Sequence, residues 1–163
     1  MNPLPDELLQ VAWKLINLDQ DPATLRRAVS TAYYALFHLL IAEATLNWGR
    51  AEYRPQLGRL FDHGNMRRAS DKICSDFNRL LKRRSSAQSI SPVARALNAV
   101  AEAFGTIQQK RIEADYVISS SWAHADAVIL VQLVSDTFNL WRSIREEPEA
   151  QGYLVAMFGN PRL

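Results

Sequence analysis

The chain has 163 residues, with 19 Lys/Arg against 17 Asp/Glu, 48% hydrophobic and 22% charged residues, six glycines, seven prolines and one cysteine. This is the composition of a soluble globular protein, long enough for one domain (residues 1–163) with a real core, and the scarcity of glycine and proline leans toward helix. The lone Cys74 excludes an intramolecular disulfide and fits a reducing cytosol; on a helix it is expected to be a packed, inert thiol.

The N-terminus, MNPLPDELLQ, places acids and prolines where a signal peptide needs basic and then apolar residues. No apolar run approaches the roughly 20 residues of a membrane helix. The expected location is therefore cytoplasmic, with no membrane partner. Charge is unevenly spread. Residues 50–84 hold ten Lys/Arg and four Asp/Glu, a balance of +6, while the remainder holds nine and thirteen, a balance of −4. Such a basic stretch is either a solvated helix face or a contact for an anionic partner.

The spacing predicts a first helix over 5–18, burying Leu8, Ala12, Leu15 and Ile16. Asp21 then suits an N-cap and Pro22 a first helical position. The second helix is long, ends near Trp48, and leaves Gly49 for a left-handed C-terminal residue. Leu25, Val29, Ala32, Leu36, Leu39 and Leu46 form its seam, Glu43 breaks it, and Tyr33, Phe37, Leu40 and Ala44 run alongside. A helix apolar over so much of its surface is surrounded by others. At about 100° per residue, Arg27, Thr31, Tyr34 and His38 share a polar strip roughly 60° wide.

RAEYRP reads as a loop, Pro55 opens a short helix reaching Phe61, and Asp62, His63, Gly64 and Asn65 make a break. The third long helix is expected from Met66 to Arg83, with Met66, Ala69, Ile73, Phe77 and Leu80 inward. Arg67, Arg68, Lys72, Arg79, Lys82, Arg83 and Arg84 give it a basic outer surface. After the polar SSAQSIS connection, Ser91 caps and Pro92 begins a fourth helix, with Val93, Leu97, Val100, Phe104 and Ile107 as its seam. The same line carries Arg111 inward, where it needs a partner; Asp115 lies one turn on. A serine-rich turn precedes the last helix, expected over 121–146 with Ala123, Ala127, Leu130, Val134, Phe138 and Trp141 inward and Pro148 ending it. The bundle core is thus residues 5–147. The remaining tail, 148–163, contains YLVAMFG, too apolar to hang in solvent, and is expected to dock on the bundle or on a second subunit. The architecture implied is an all-α bundle of four long helices plus short ones.

No glycine-rich phosphate loop, zinc-spaced Cys/His cluster, His-Glu-x-x-His, Glu-x-x-His or nucleophile elbow occurs, so no metal or cofactor is expected. Three features remain, each with a plain and a functional reading. The Arg27–Thr31–Tyr34–His38 strip is an exposed or interface face, or a groove wall for phosphate or nucleotide. His63 is a loop or capping residue, or a general acid–base beside a helix N-terminus. Arg111-Ile-Glu-Ala-Asp115-Tyr116 is a structural brace, or it presents an arginine to a phosphate's developing charge.

These residues carry a likeness. Arg27-x5-Tyr33-Tyr34-Ala35-x-Phe37, a histidine opening the next long helix, and Arg111-x-x-Ala114-Asp115-Tyr116 resemble the small stand-alone bacterial proteins of the HEPN superfamily, from about Ala23 to Trp141. The resemblance implies an up-and-down helical bundle, usually a homodimer. Such domains act in RNA biology, defence or toxin–antitoxin pairs, often beside a nucleotidyltransferase-like protein partner. Active members are metal-independent ribonucleases with an arginine, four to six residues and then a histidine. The nearest pair in this chain, Arg59-x3-His63, is one residue short of that spacing.

The reading from sequence is an RNA- or nucleotide-associated protein of toxin or defence type. Arg67, Arg68, Arg79, Lys82, Arg83 and Arg84 would contact nucleic acid. His63 and Arg111 would be catalytic in an endoribonuclease, with Arg27, Tyr34, His38, Asp115 and Tyr116 lining a groove. The alternative is a non-catalytic interaction module for a protein partner such as a nucleotidyltransferase-like subunit.

Overall fold

A computed structural model describes residues 3–83 and 90–159. Among the described residues there are seven α-helices, one 3-10 turn and no strand. The helices are α1 (Leu4–Leu18), α2 (Pro22–Leu46), α3 (Arg54–Gly58), α4 (His63–Arg83), α5 (Pro92–Tyr116), α6 (His124–Ile144) and α7 (Pro148–Ala156). The all-α bundle with four long helices is therefore as the periodicity predicts. The chain divides into two compact units, and α2, α5 and α6 each contribute to both.

The first unit comprises the chain up to Leu39 and Ala103–Asn139. Its core contains Ala12, Ile16, Leu25, Val29, Ala32, Tyr33, Leu36, Phe104, Ile107, Val131, Val134 and Phe138, all buried. Burying each of the larger apolar side chains contributes about 1.5–3 kcal/mol. The expected N-cap is present, since Asp21 Oδ1 accepts from the Ala23 and Thr24 N–H groups at 2.9 and 3.0 Å. Trp13 Nε1 donates to Ser135 Oγ at 3.0 Å, tying α1 to α6. Leu8 and Leu15 are half-buried, leaving Pro5, Ala12 and Ile16 as the buried face of α1.

The second unit comprises Leu40–Glu102 and the chain from Leu140 onward. Glu43, the break in the α2 seam, is buried and lies 3.3 Å from Arg145 Nε, so its charge is paired. The apolar tail folds as α7 and packs against α4, as its composition demanded. Tyr153 is fully buried, its ring 6.4 Å from that of Trp141 and its hydroxyl 2.7 Å from Ser70 Oγ. Phe158 then meets Phe61, ring centroids 4.3 Å apart. The chain passes Asn65 with Gly159 at φ 89°, and a Cβ there would lie 3.1 Å from the Asn65 amide. Only glycine combines that backbone with that closeness.

Several boundaries differ from the sequence expectation. α4 begins at His63 rather than Met66, because Asp62 caps it: Asn65 N–H donates to Asp62 Oδ1 at 2.7 Å. The expected break is thus the first helical turn. α2 stops at Leu46, and Gly49 does not adopt a left-handed conformation. Arg54 supplies the C-terminal cap instead, donating to the carbonyls of Leu46 and Trp48 at 3.3 and 3.0 Å. RAEYRP is a 3-10 turn (Ala51–Tyr53) running into α3, which ends before Phe61. Ser91 does cap α5, accepting from the Ala94 N–H at 3.0 Å. α6 starts at His124, leaving Ala123 exposed ahead of it, and Pro148 opens α7 at a position proline favours. In α4, Met66 and Ala69 are buried whereas Ile73, Phe77 and Leu80 are half-buried. Most of SSAQSIS lies outside the described residues.

By length and composition α2 does qualify as a membrane span, contrary to the expectation that no apolar run approaches that length. Of its most apolar window 67% is buried inside the protein, as in a core helix.

Candidate functional site: the Arg111 cluster and the basic helix

Arg111 sits on the buried side of α5 as its seam predicts, with 16% of its side chain exposed. Its Nη2 donates to Tyr34 Oη at 2.7 Å, and its Nε lies 2.8 Å from Asp115 Oδ2. That Nε is buried and makes close ionic contact without a directed hydrogen bond. The guanidinium carbon lies 5.7, 5.4 and 5.6 Å from the ring centroids of Tyr33, Tyr34 and Tyr116. Each such cation–π contact contributes about 0.5–2 kcal/mol, more as water is excluded. Burial opposes the guanidinium charge, but Tyr34, Asp115 and Tyr116 more than offset it and hold its pKa above the ordinary value. Asp115 also accepts from Ser30 Oγ at 3.2 Å. Tyr33, inward of the cluster, has its phenol pushed up by burial, opposed by a hydrogen bond from Gln108 and the charge of Arg111.

The structure brings Tyr34, Arg111, Asp115 and Tyr116 together. His38 continues the line on α2, its ring 6.4 Å from that of Tyr34. Arg27, at the other end of the strip, is exposed, and Thr31 is half-buried. His63 belongs to the second unit, on the first residue of α4, whereas the partners of Arg111 described above all lie in the first. Among the described residues no group of three or more His, Cys, Asp or Glu is arranged to hold a metal.

Sequence reasoning missed Arg26. Its guanidinium donates to the carbonyls of Ala114 (2.8 Å), Val117 (3.0 Å), Ile118 (3.2 Å) and Ser120 (2.8 Å). These are acceptors at the C-terminus of α5 and in its following turn, where a cation also complements the helix dipole. The helix end that carries Asp115 and Tyr116 is thereby tied to α2. The available signal was the absence of glycine after Tyr116, which leaves those carbonyls needing another donor.

On α4, the basic residues expected to contact nucleic acid are partly engaged with acids of the same helix. Arg67 pairs with Asp71 at 2.8 Å, Lys72 with Asp76 at 2.6 Å and Arg79 with Asp76 at 3.3 Å. Lys72 in particular holds the Asp76 carboxyl below its ordinary pKa. Arg68 donates to Asn65 Oδ1 in the first turn. Lys82 and Arg83 are exposed at the C-terminal end, and Arg84 lies outside the described residues. Arg79 and Lys82 edge an open groove of about 520 Å³ with Asp71, Cys74, Ser75 and Asn78. Burial, with Glu102 and Asp71, pushes the Cys74 thiol up, which disfavours its reactive thiolate.

Arg111 thus meets a carboxylate, a phenol hydroxyl and three aromatic rings of its own chain. Asp115→Ala should destabilise the protein by about 1–3 kcal/mol, the partial exposure of the pair placing it below a fully buried one. Arg111→Leu combined with Asp115→Leu should lose less than the sum of the two single changes. Urea denaturation of the four proteins measures that coupling. No protein-family model matches the chain, and comparisons with curated proteins and with solved structures find no match.

Proposed function

We propose that this protein is a cytoplasmic, RNA-associated module of the HEPN type, an up-and-down bundle that meets the phosphate backbone through α4 and binds without cleaving. One observation carries the reading. Arg67, Arg68, Lys72, Arg79, Lys82 and Arg83 stand on one 21-residue helix against only Asp71 and Asp76. The two acids form weak surface pairs, which a phosphate chain can outcompete. Lys82 and Arg83, outside those pairs in the last turn, are the strongest points of contact. The self-contained arrangement of Arg111 is why binding is preferred to catalysis.

The test uses labelled single-stranded RNA in EDTA at low and moderate salt. Binding should weaken steeply with salt, and Lys82→Glu with Arg83→Glu should lower affinity at least tenfold while flattening the logarithmic salt slope by about 1–2. Cleavage that leaves 2′,3′-cyclic phosphate ends and disappears in His63→Ala would replace this reading with a metal-independent ribonuclease. RNA left unbound at low salt would favour the second reading, a non-catalytic module for a protein such as a nucleotidyltransferase-like subunit. Exposed Trp48, Tyr53 and Leu60 around α3 support that alternative.

A further inference from the structure

Between the last turns of α5, the turn that follows it and the first turns of α6 lies a cleft of about 380 Å³. That is within the size range of small-molecule sites. Most of the polar groups that line it already have partners. Lys110 and Glu113 neutralise one another at 2.8 Å. Ser120 Oγ donates to the Val117 carbonyl at 2.9 Å and accepts from Trp122 Nε1 at 3.1 Å. That bond uses the N–H of the indole, so Trp122 offers the cleft an aromatic surface and no donor. Arg26 holds the same turn through the carbonyls of Val117, Ile118 and Ser120. The wall is therefore fixed before anything binds, and little ordering opposes binding. Two polar groups are left over. The Asp126 carboxylate has no ion pair and no hydrogen bond among the described residues, and the Ser121 hydroxyl is likewise unengaged. Ile129 and Leu130 complete the lining with aliphatic surface.

We propose that this cleft binds a small alkylammonium ion. Its charged head would lie between the Asp126 carboxylate and the Trp122 ring, and its methylenes along Ile129 and Leu130. The assignment follows from what is left unsatisfied. An unengaged carboxylate needs a donor, and an ammonium is a donor with no acceptor of its own. Tryptophan is the strongest ring partner for a cation. Glu113 and Asp126 against Lys110 leave the lining with one negative charge in excess, which attracts a cation and repels an anion. A phosphate or carboxylate ligand would need free donors, and the lysine here is held by Glu113.

The experiment titrates the full chain with pentylammonium chloride at neutral pH. Two-dimensional NMR follows the Trp122 indole N–H, its signal assigned from Trp122→Phe. Pentylammonium should shift that signal and saturate with a dissociation constant of about 1 mM or below. Pentanol, which has the chain without the charge, should not. Asp126→Asn, at an exposed position that tolerates it, should weaken binding by about fivefold or more. Lys110→Gln releases the Glu113 carboxylate and should tighten binding. No shift with pentylammonium, an equal response to pentanol, or unchanged affinity in Asp126→Asn overturns the proposal. None of these readings involves RNA or α4, so failure here leaves the proposed function standing.

Discussion

Tyr153→Ala is expected to destabilise the protein by about 3–5 kcal/mol, the range for removing a large buried aromatic side chain. Tyr153 is fully buried on α7, contacts Trp141 and reaches Ser70 of α4 through its hydroxyl. Truncation would open a cavity and delete one partner of Ser70 Oγ, which would keep its bond to the Met66 carbonyl at 2.9 Å. For a chain of this size the midpoint of thermal unfolding should fall by roughly 6–20 °C. Tyr153→Phe keeps the ring and should lose only about 1 kcal/mol. Burial also pushes the Tyr153 phenol well above its ordinary pKa, with Ser70 a smaller opposing influence. The folded state therefore holds that proton more tightly than the unfolded chain. This contribution is complete below about pH 10 and is lost as pH rises beyond it. Calorimetry of wild type and Tyr153→Phe between neutral and alkaline pH checks the sign: the wild type should lose more stability on alkalinisation.

Neighbouring arginines should behave very differently. Arg26→Ala is expected to destabilise by about 2–4 kcal/mol, because charge-assisted hydrogen bonds to several carbonyls at the end of α5 are lost together. Arg27→Ala, at an exposed position on the same helix, should stay within about 0.5 kcal/mol of wild type. Hydrogen exchange gives a sharper readout. In Arg26→Ala the amides of Val117 and Ser120, bonded to the carbonyls of Glu113 and Val117 at 3.1 and 3.3 Å, should lose protection before those in the middle of α5. Equal effects of the two substitutions would show that the observed capping contributes little.

The helices themselves were legible because burial repeats with the helical period. Val29, Ala32, Tyr33 and Leu36 on α2 and Leu97, Val100, Phe104 and Ile107 on α5 are buried as their spacing requires. The caps at Asp21 and Ser91 were legible for a similar reason, since their partners are two or three residues away. The pairing of Arg111 with Asp115 followed from one helical turn and the penalty of an unpaired inward charge. What sequence could not supply were partners distant along the chain. Whether Arg26 or Arg27 is engaged depends on where the end of α5 lies, 87 or more residues later. The rings of Tyr33 and Tyr34 beside Arg111 likewise depend on how the chain folds back. Local periodicity determined which residues turn inward; tertiary packing decided what each polar group finds there, because an arginine's donors are satisfied in space and not in sequence.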